Sequence, residues 1–356
     1  MSDTTPPTPT ASGAAMPAEL NPRHLLRRLL VLVGLVAVVA VGIGSLPGFG
    51  TLRSRFAQAD GWLLLVIGLL KLASCLSNVV AFRDVFCPTM SWGFSYELGM
   101  AEQGTNVLLP TGGAGGLALG AWALRQAGMP TGHIARRSVA FFVLTSLPNF
   151  ACAALLGPLL LAGLFPGQAP AVPTAIFCGL AWTTMAIIVA LPLVLDRLGA
   201  GSTDGAVLGR LRRAAGSLAN GIRDTGELLV TRRWRAILGA IGYLGFDIAA
   251  LAVGFAAFGT SLPAGPLIFA YVVGQLGGLI PLPAGIGGTD GGLIGAMVLY
   301  GSPLPQAAAA VLAYRLFQLG VPAVLGTIAF LQLRRRLSRS PAPELACAGL
   351  ADPSGD

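Results

Sequence analysis

Four ionisable side chains stand inside apolar stretches of this sequence, where charge is expensive: Lys71, Asp247, Asp290 and Arg315. In hydrocarbon surroundings such groups pair with one another, hold polar ligands or carry protons. Arg315 lies about ten residues into the last apolar run, too deep to reach water easily. Its planar guanidinium suits bidentate contact with a phosphate, and the competing reading is a structural ion pair with Asp290 or Asp247. Lys71 and Asp247 lie at similar depth in two other runs, and they are expected to pair with each other. Asp290 follows Thr289 at the expected start of a helix, which makes it a coupling-ion or proton site, or leaves either residue as an N-cap. Glu102, in an interrupted apolar stretch, is read as a proton carrier or as an exposed position.

The elements that position these groups are set by composition. Hydrophobic residues make up 54% of the 356 and charged residues only 11%. A soluble domain carries roughly 25% charged residues, so this chain lacks the polar surface to face water on all sides. Apolar runs close to the ~20-residue bilayer-spanning length recur along it. Full spans are expected at 29–46, 61–82, 137–163, 172–195, 236–258 and 306–333, and two further stretches, 92–127 and 264–300, are interrupted by Pro and Gly.

The net charge of +8 does not point to nucleic acid, because most arginines lie just outside the spans and Lys71 is the only lysine. The segment 196–235 carries eight arginines, and the flanks add Arg23, Arg27, Arg28, Arg334, Arg335, Arg336 and Arg339. Loops 164–171, 259–263 and 301–305 carry none, and only Arg53 and Arg55 fall in a loop assigned outside. Both termini are therefore expected in the cytoplasm. Within 196–235, Val207, Leu208, Leu211, Ala215, Leu218 and Ile222 recur at helical spacing among arginines, a pattern that fits an interfacial helix or a charged surface loop. Residues 1–24 and 339–356 read as disordered tails around one transmembrane domain, 25–338. The cysteines show no metal spacing and read as packing residues, with no disulfide framework expected.

The sequence also repeats itself. Pro110-Thr-Gly-Gly-Ala-Gly-Gly116 and Pro283-Ala-Gly-Ile-Gly-Gly-Thr289 align at an offset of 173. The same offset matches Gly128 with Gly301 and Pro130 with Pro303, and it carries 61–82 onto 236–258 and 137–163 onto the last span. The unit, about 61–163 and again about 236–333, is span, broken hairpin, span. The arginine distribution makes the two copies opposite in direction, the pattern of inverted-repeat transporters whose sites form at broken helices. The expected fold is thus an all-α polytopic membrane protein with about six transmembrane helices and two re-entrant helical hairpins in an inverted-topology repeat. The tips, with Pro110, Gly112, Gly115, Gly116, Pro283, Gly285, Gly288 and Thr289, are candidates to line a substrate route, because glycine permits tight turns and close backbone approach. A helix starting after each turn offers unpaired N–H groups to an anion. The alternative is that Pro and Gly merely kink two long helices.

At these residues the chain resembles the flippase-like proteins related to the lysylphosphatidylglycerol synthase transmembrane region. Asn106-Val-Leu-Leu-Pro-Thr-Gly-Gly-Ala-Gly-Gly116 and Pro281-Leu-Pro-Ala-Gly-Ile-Gly-Gly-Thr-Asp290 carry the resemblance, followed by Tyr314-Arg315-Leu316 and a basic terminus. Where Asp290 stands the family usually has Glu. The resemblance implies translocation of a phospholipid, an aminoacylated lipid or a polyprenyl-phosphate-linked lipid between leaflets of a prokaryotic cytoplasmic membrane. Fused members carry a separate domain that aminoacylates phosphatidylglycerol; only a short tail follows Leu333 here, so enzymatic synthesis is not expected.

No enzyme motif stands out, His24 and His133 are the only histidines, and neither a cofactor nor a metal is expected. The expected partners are membrane lipids, with a lipid-modifying enzyme or a second copy of the chain as further candidates. Two rival functions stay open: a proton-coupled transporter of a small solute, and a non-transporting scaffold for a lipid-modifying enzyme.

Overall fold

A computed structural model of the chain describes residues 27–31, 34, 60–109, 114–167, 169–197, 206–231, 233–276 and 287–339. Every regular element among them is a helix: α1 (Gly61–Phe86), α2 (Trp92–Leu108), α3 (Ala114–Gln126), α4 (Thr131–Leu161), α5 (Ala171–Arg197), α6 (Ala206–Val230), α7 (Trp234–Ala257), α8 (Ala264–Gln275), α9 (Gly288–Leu299) and α10 (Leu304–Arg339). A short helical stretch also covers 27–31.

Five of these, α1, α4, α5, α7 and α10, are long and apolar enough to cross a membrane. They coincide with five of the six expected spans; the sixth, 29–46, lies mostly outside the described residues. The large apolar side chains that remain exposed on them, such as Leu65, Leu69, Phe142, Leu155, Val172, Ile176 and Val324, are the surface that hydrocarbon would solvate. The chain is a multi-pass membrane protein. By contrast α3, α8 and α9, with 13, 12 and 12 residues, reach only about 18–20 Å. That falls short of the ~30 Å hydrocarbon core.

Three spans run well past the expected ends, the first being α1, which continues beyond 82 through Arg83 and Asp84 to Phe86. α4 starts at Thr131, six residues before the expected start, and takes in Arg136, and α10 continues through Arg334, Arg335 and Arg336. Basic side chains at a helix end reach water along their stems, and those in the last turn of α10 also complement the helix dipole. Among the cysteines, Cys75, Cys152 and Cys178 are free, while Cys87 is disulfide-bonded, which the sequence reading did not anticipate.

The interior divides into two apolar cores, one at each end of the long helices. One gathers Cys75, Phe82 and Phe86 of α1, Leu98 of α2, Leu119 of α3, Ala236 of α7 and Phe330 of α10. The other gathers Ile67 of α1, Ala153 of α4, Phe255 of α7, Phe269 and Tyr271 of α8, Leu293 of α9 and Tyr314 of α10. Each core is thus built around one pair of short helices. In the first pair the strands of chain run antiparallel, since Asn106 meets Gly116 and Glu102 meets Gly120. In the second, Gly274 at the end of α8 packs on Leu293 of α9.

The seam between the cores is the contact of α1 with α7. These helices also run antiparallel, because Ser77 lies against Gly242 while Lys71 meets Asp247. Their approach is close: a Cβ on Gly239 would fall 2.7 Å from the Ser77 carbonyl oxygen. α2 and α10 touch as closely, at Gly104 and Gly326, where a Cβ on Gly326 would lie 2.5 Å from the Met100 carbonyl oxygen. Glycine is required at these crossings for space, not for conformation.

At Gly128 and Gly301 the requirement is conformational. Both adopt left-handed φ angles, 86° and 101°. The N–H of Gly128 donates to Arg125 and that of Met129 to Leu124; the N–H of Gly301 donates to Val298 and that of Ser302 to Met297. The two glycines matched by the 173-residue offset therefore close α3 and α9 with the same turn. Pro130 and Pro303 then start α4 and α10 alike, each accepting from the residue four along.

Candidate functional site

The polar groups that the apolar spans carry converge where α1, α7, α8 and α10 meet, and the chain they form enters the second core at Tyr271 and Tyr314. Lys71 Nζ lies 2.8 Å from Asp247 Oδ1 and 3.0 Å from Oδ2, with both side chains 4% exposed. The ammonium also faces the Tyr243 ring at 5.5 Å. One turn along, Ser74 donates to the Tyr243 carbonyl at 3.0 Å. A buried charge is tolerable only when paired and hydrogen-bonded, and here each charge is the other's partner.

The pair extends into a chain of hydrogen bonds. The Tyr271 hydroxyl donates to Asp247 Oδ2 at 3.4 Å, Gln275 Nε2 donates to Tyr271 at 2.6 Å, and the hydroxyls of Tyr271 and Tyr314 are 3.0 Å apart. A tyrosine hydroxyl has one proton and two acceptor positions. With its proton given to Asp247, Tyr271 accepts from both Gln275 and Tyr314, so Tyr314 is the donor in that contact. Every position on the Tyr271 hydroxyl is then used.

The residue after Tyr314 opens the second ion pair. Arg315 Nε lies 2.5 Å from Asp290 Oδ1, and its Nη1 donates to Gln318 Oε1 at 2.8 Å. The other carboxylate oxygen, Asp290 Oδ2, accepts the Gly287 N–H at 2.9 Å. Asp290 therefore closes the first turn of α9 and holds Arg315 at once. Arg315 pairs with Asp290, since Asp247 is taken by Lys71. Neither Thr289 nor Asp290 is the N-cap: that position is Gly287, and Asp290, three residues on, reaches back to its N–H because the helix begins earlier than the sequence suggests. This second pair is less enclosed, with Asp290 20% exposed.

At the first pair of short helices the polar content is sparser. Asn106 Oδ1 accepts the Gly116 N–H at 2.8 Å, closing the first turn of α3. Gly115 and Gly116 are buried there, as Gly288 and Thr289 are at the start of α9. Glu102 lies partly buried, its carboxyl filling the space that a side chain at Gly120 would need. Among the described residues it has neither a hydrogen-bond nor an ion-pair partner. Four candidate tip residues, Pro110, Gly112, Pro283 and Gly285, lie outside the described residues.

The arginines collect at one end of the bundle. Arg83 stacks over Trp92 at 4.3 Å, Arg233 Nη1 donates to the Asp84 carbonyl at 2.9 Å, and Arg336 pairs with Glu97 at 2.9 Å. Asp84 also accepts the Ala236 N–H at the start of α7. α6 binds at the same end, with Gly221 on Val139, Thr225 Oγ1 donating to the Ala140 carbonyl, and Asp224 facing Arg136 and Arg137. Its packed face is thus centred on small and polar residues, and Leu218 of the expected apolar stripe stays 41% exposed.

Sequence reasoning missed Tyr271, Gln275 and Tyr314 as members of the polar chain, and Glu97 as the partner of Arg336. A buried tyrosine hydroxyl usually finds a partner, so a tyrosine in the middle of an apolar helix was the available signal. Among the described residues no group of three or more His, Cys, Asp or Glu is placed to hold a metal ion. The family described as lysylphosphatidylglycerol synthase TM region matches residues 28–326. No curated protein matches the chain.

Proposed function

We propose that this chain, which belongs to the lysylphosphatidylglycerol synthase transmembrane-region family, moves a lipid head group between the leaflets of a prokaryotic cytoplasmic membrane. One observation carries the reading: a chain of buried polar side chains, Lys71–Asp247–Tyr271–Tyr314 with Arg315–Asp290 beside it, runs into the second apolar core of an otherwise hydrocarbon-facing bundle. A scaffold has no need of two buried ion pairs, since well-packed apolar residues stabilise as well. A route for head groups does need polar lining at that depth.

Three further features support it. The two pairs of short helices enter opposite cores, as re-entrant hairpins of an inverted repeat would. The matched turns at Gly128 and Gly301 follow the same offset. The arginine-rich end agrees with both termini on the cytoplasmic side. In this reading the short helices α3 and α9 begin near mid-membrane. Irregular backbone is tolerated there only if it is buried in protein or lines a polar cavity. Arg315 is held at the first turn of α9 by Asp290, and lipid phosphate competes with Asp290 for it. The chain acts as a transporter and not as an enzyme, with membrane lipids as its partners.

The test is translocation of head-group-labelled lipids in proteoliposomes, read by a membrane-impermeant quencher. Wild type is expected to expose inner-leaflet label, and Arg315→Ala and Asp290→Ala at matched reconstitution are expected to lose at least tenfold in rate. Folded wild type that translocates none of a panel of anionic, zwitterionic and aminoacylated lipids overturns the proposal.

A further inference from the structure

Among the described residues, Glu102 is the one candidate charge inside the bundle that no other side chain answers. Lys71 has Asp247, Arg315 has Asp290, and at the arginine-rich end Glu97 has Arg336. Gln103, next to Glu102, donates to the Cys75 and Gly99 carbonyls. Asn106, one turn on, caps α3. Position 275, related to 102 by the repeat offset, is a glutamine whose amide is tied to Tyr271. The second half of the molecule therefore holds a permanently neutral, bonded side chain where the first half holds a carboxyl without a partner.

We propose that Glu102 is a proton-binding site whose protonation drives the movement of α2 and α3 during lipid transport. The role in transport rests on the function proposed above; the binding of a proton does not. The chemistry is a single equilibrium: the carboxylate takes a proton from water on one side, becomes a neutral carboxylic acid, and releases the proton to the other side. No bond other than O–H forms or breaks. An unpaired carboxylate at membrane depth costs several kcal/mol relative to its neutral acid. The ionised form thus favours an arrangement in which Glu102 meets water, and the neutral form favours the packing seen here against Gly120.

The neighbourhood leaves this equilibrium to burial. The helices packed on α2 bring Arg125 from α3, Lys71, Cys75, Arg83 and Asp84 from α1, and Tyr314, Arg315, Arg334, Arg335 and Arg336 from α10. No ion pair or hydrogen bond joins Glu102 to any of them. Lys71, Arg315 and Arg336 are each held by another carboxylate, and Arg83 is held by Trp92 and the Met90 carbonyl. Gly120 is the matching element, because any side chain there would evict the carboxyl.

Two measurements test it. The first is an infrared pH titration of the full chain in bicelles: wild type is expected to show a carboxylic-acid C=O band that titrates away, and Glu102→Gln to lack it. Glu102→Asp, which keeps a carboxyl, should restore a titrating band and guards against a misfolded Gln variant. The second imposes a pH difference across proteoliposomes and reads the final distribution of labelled lipid between leaflets. With one proton per lipid, each pH unit shifts that ratio up to tenfold in wild type, and Glu102→Gln should show no shift. Wild type that translocates without responding to the gradient, or a Gln variant that responds like wild type, overturns the proposal. So does the absence of a Glu102-dependent band. A Glu102-dependent band in protein that moves no lipid leaves the proton site standing and removes the translocation reading.

Discussion

The two pairs of short helices, α2–α3 and α8–α9, occupy matching places at opposite ends of the molecule and carry opposite chemistry. Around α8–α9 the repeat offset places Tyr271, Gln275, Asp290, Tyr314 and Arg315; around α2–α3 the corresponding residues are Leu98, Glu102, Leu117, Phe141 and Phe142. The long helices divide the same way, with Asp247 matched by the offset to position 74, a serine, and Lys71 to position 244, a leucine. Burial follows chemistry: Arg315 is 6% exposed, while Phe142 is 66% exposed toward the hydrocarbon. One backbone plan thus serves two ends: the second wires its buried charges to one another, while the first pairs Glu97 with Arg336 and packs apolar side chains around Glu102, which has no partner among the described residues. The wired end has fixed partners for each of its charges, which suits holding a structure or a ligand. The other has a charge without a fixed partner, which suits a change of state.

The sharpest way to break this comparison is to strand a charge at its centre. Asp247→Ala leaves Lys71 buried without a partner, which is expected to lower unfolding stability by about 3–5 kcal/mol. Lys71→Ala should do the same from the other side. The double variant Lys71→Ala/Asp247→Ala should be less damaged than the sum, because no uncompensated charge remains. Reversible unfolding in detergent micelles measures all three, and additive losses would show that the two side chains act independently.

Next in size is the second ion pair. Arg315→Gln removes the charge that holds Asp290 but leaves the Gly287 N–H bonded to that carboxylate. The expected loss is about 1–3 kcal/mol, smaller than at Lys71 because Asp290 retains some access to water. The offset partner supplies the control. Phe142→Gln on the outer face of α4 touches no ion pair, and its cost should come only from facing hydrocarbon. Equal losses with the same temperature and salt response would mean that the polar wiring of the second half contributes nothing specific.

The long elements were legible because apolar runs of spanning length leave little choice of structure, and the breaks were legible because Pro and Gly interrupt them. The start of α4 and the end of α10 were not, since Arg136 falls just outside the expected span and Arg334 to Arg336 read as flanks although the helices continue under them. At the site, Lys71 and Asp247 could be matched from depth alone on helices related by the repeat. Arg315 had two possible acids at comparable depth, and only the packing of α9 against α10 decides between them. Tyr271 and Tyr314 sit in the middle of apolar helices, which signals that each hydroxyl needs a partner but not which one, and only the packing of α8 against α10 joins them. The Glu97–Arg336 contact joins residues 239 apart, with no shared periodicity to betray it.

The smallest effect expected is at the hydroxyl that connects the two halves of the polar chain. Tyr271→Phe keeps the ring in the core and deletes only the oxygen, so Asp247 Oδ2 loses one donor while keeping Lys71, and Gln275 and Tyr314 lose their acceptor. A net cost of about 1–2 kcal/mol is expected, mostly from the two stranded donors. Adding Gln275→Leu removes one of those donors and should recover part of the loss. Leu98→Ala in the other half, by contrast, leaves a cavity and should cost about 2–5 kcal/mol with no recovery from any polar substitution nearby. If Gln275→Leu instead deepens the Tyr271→Phe defect, the amide contributes through a contact other than the tyrosine, and the second half is wired by a different route from the one its hydrogen bonds describe.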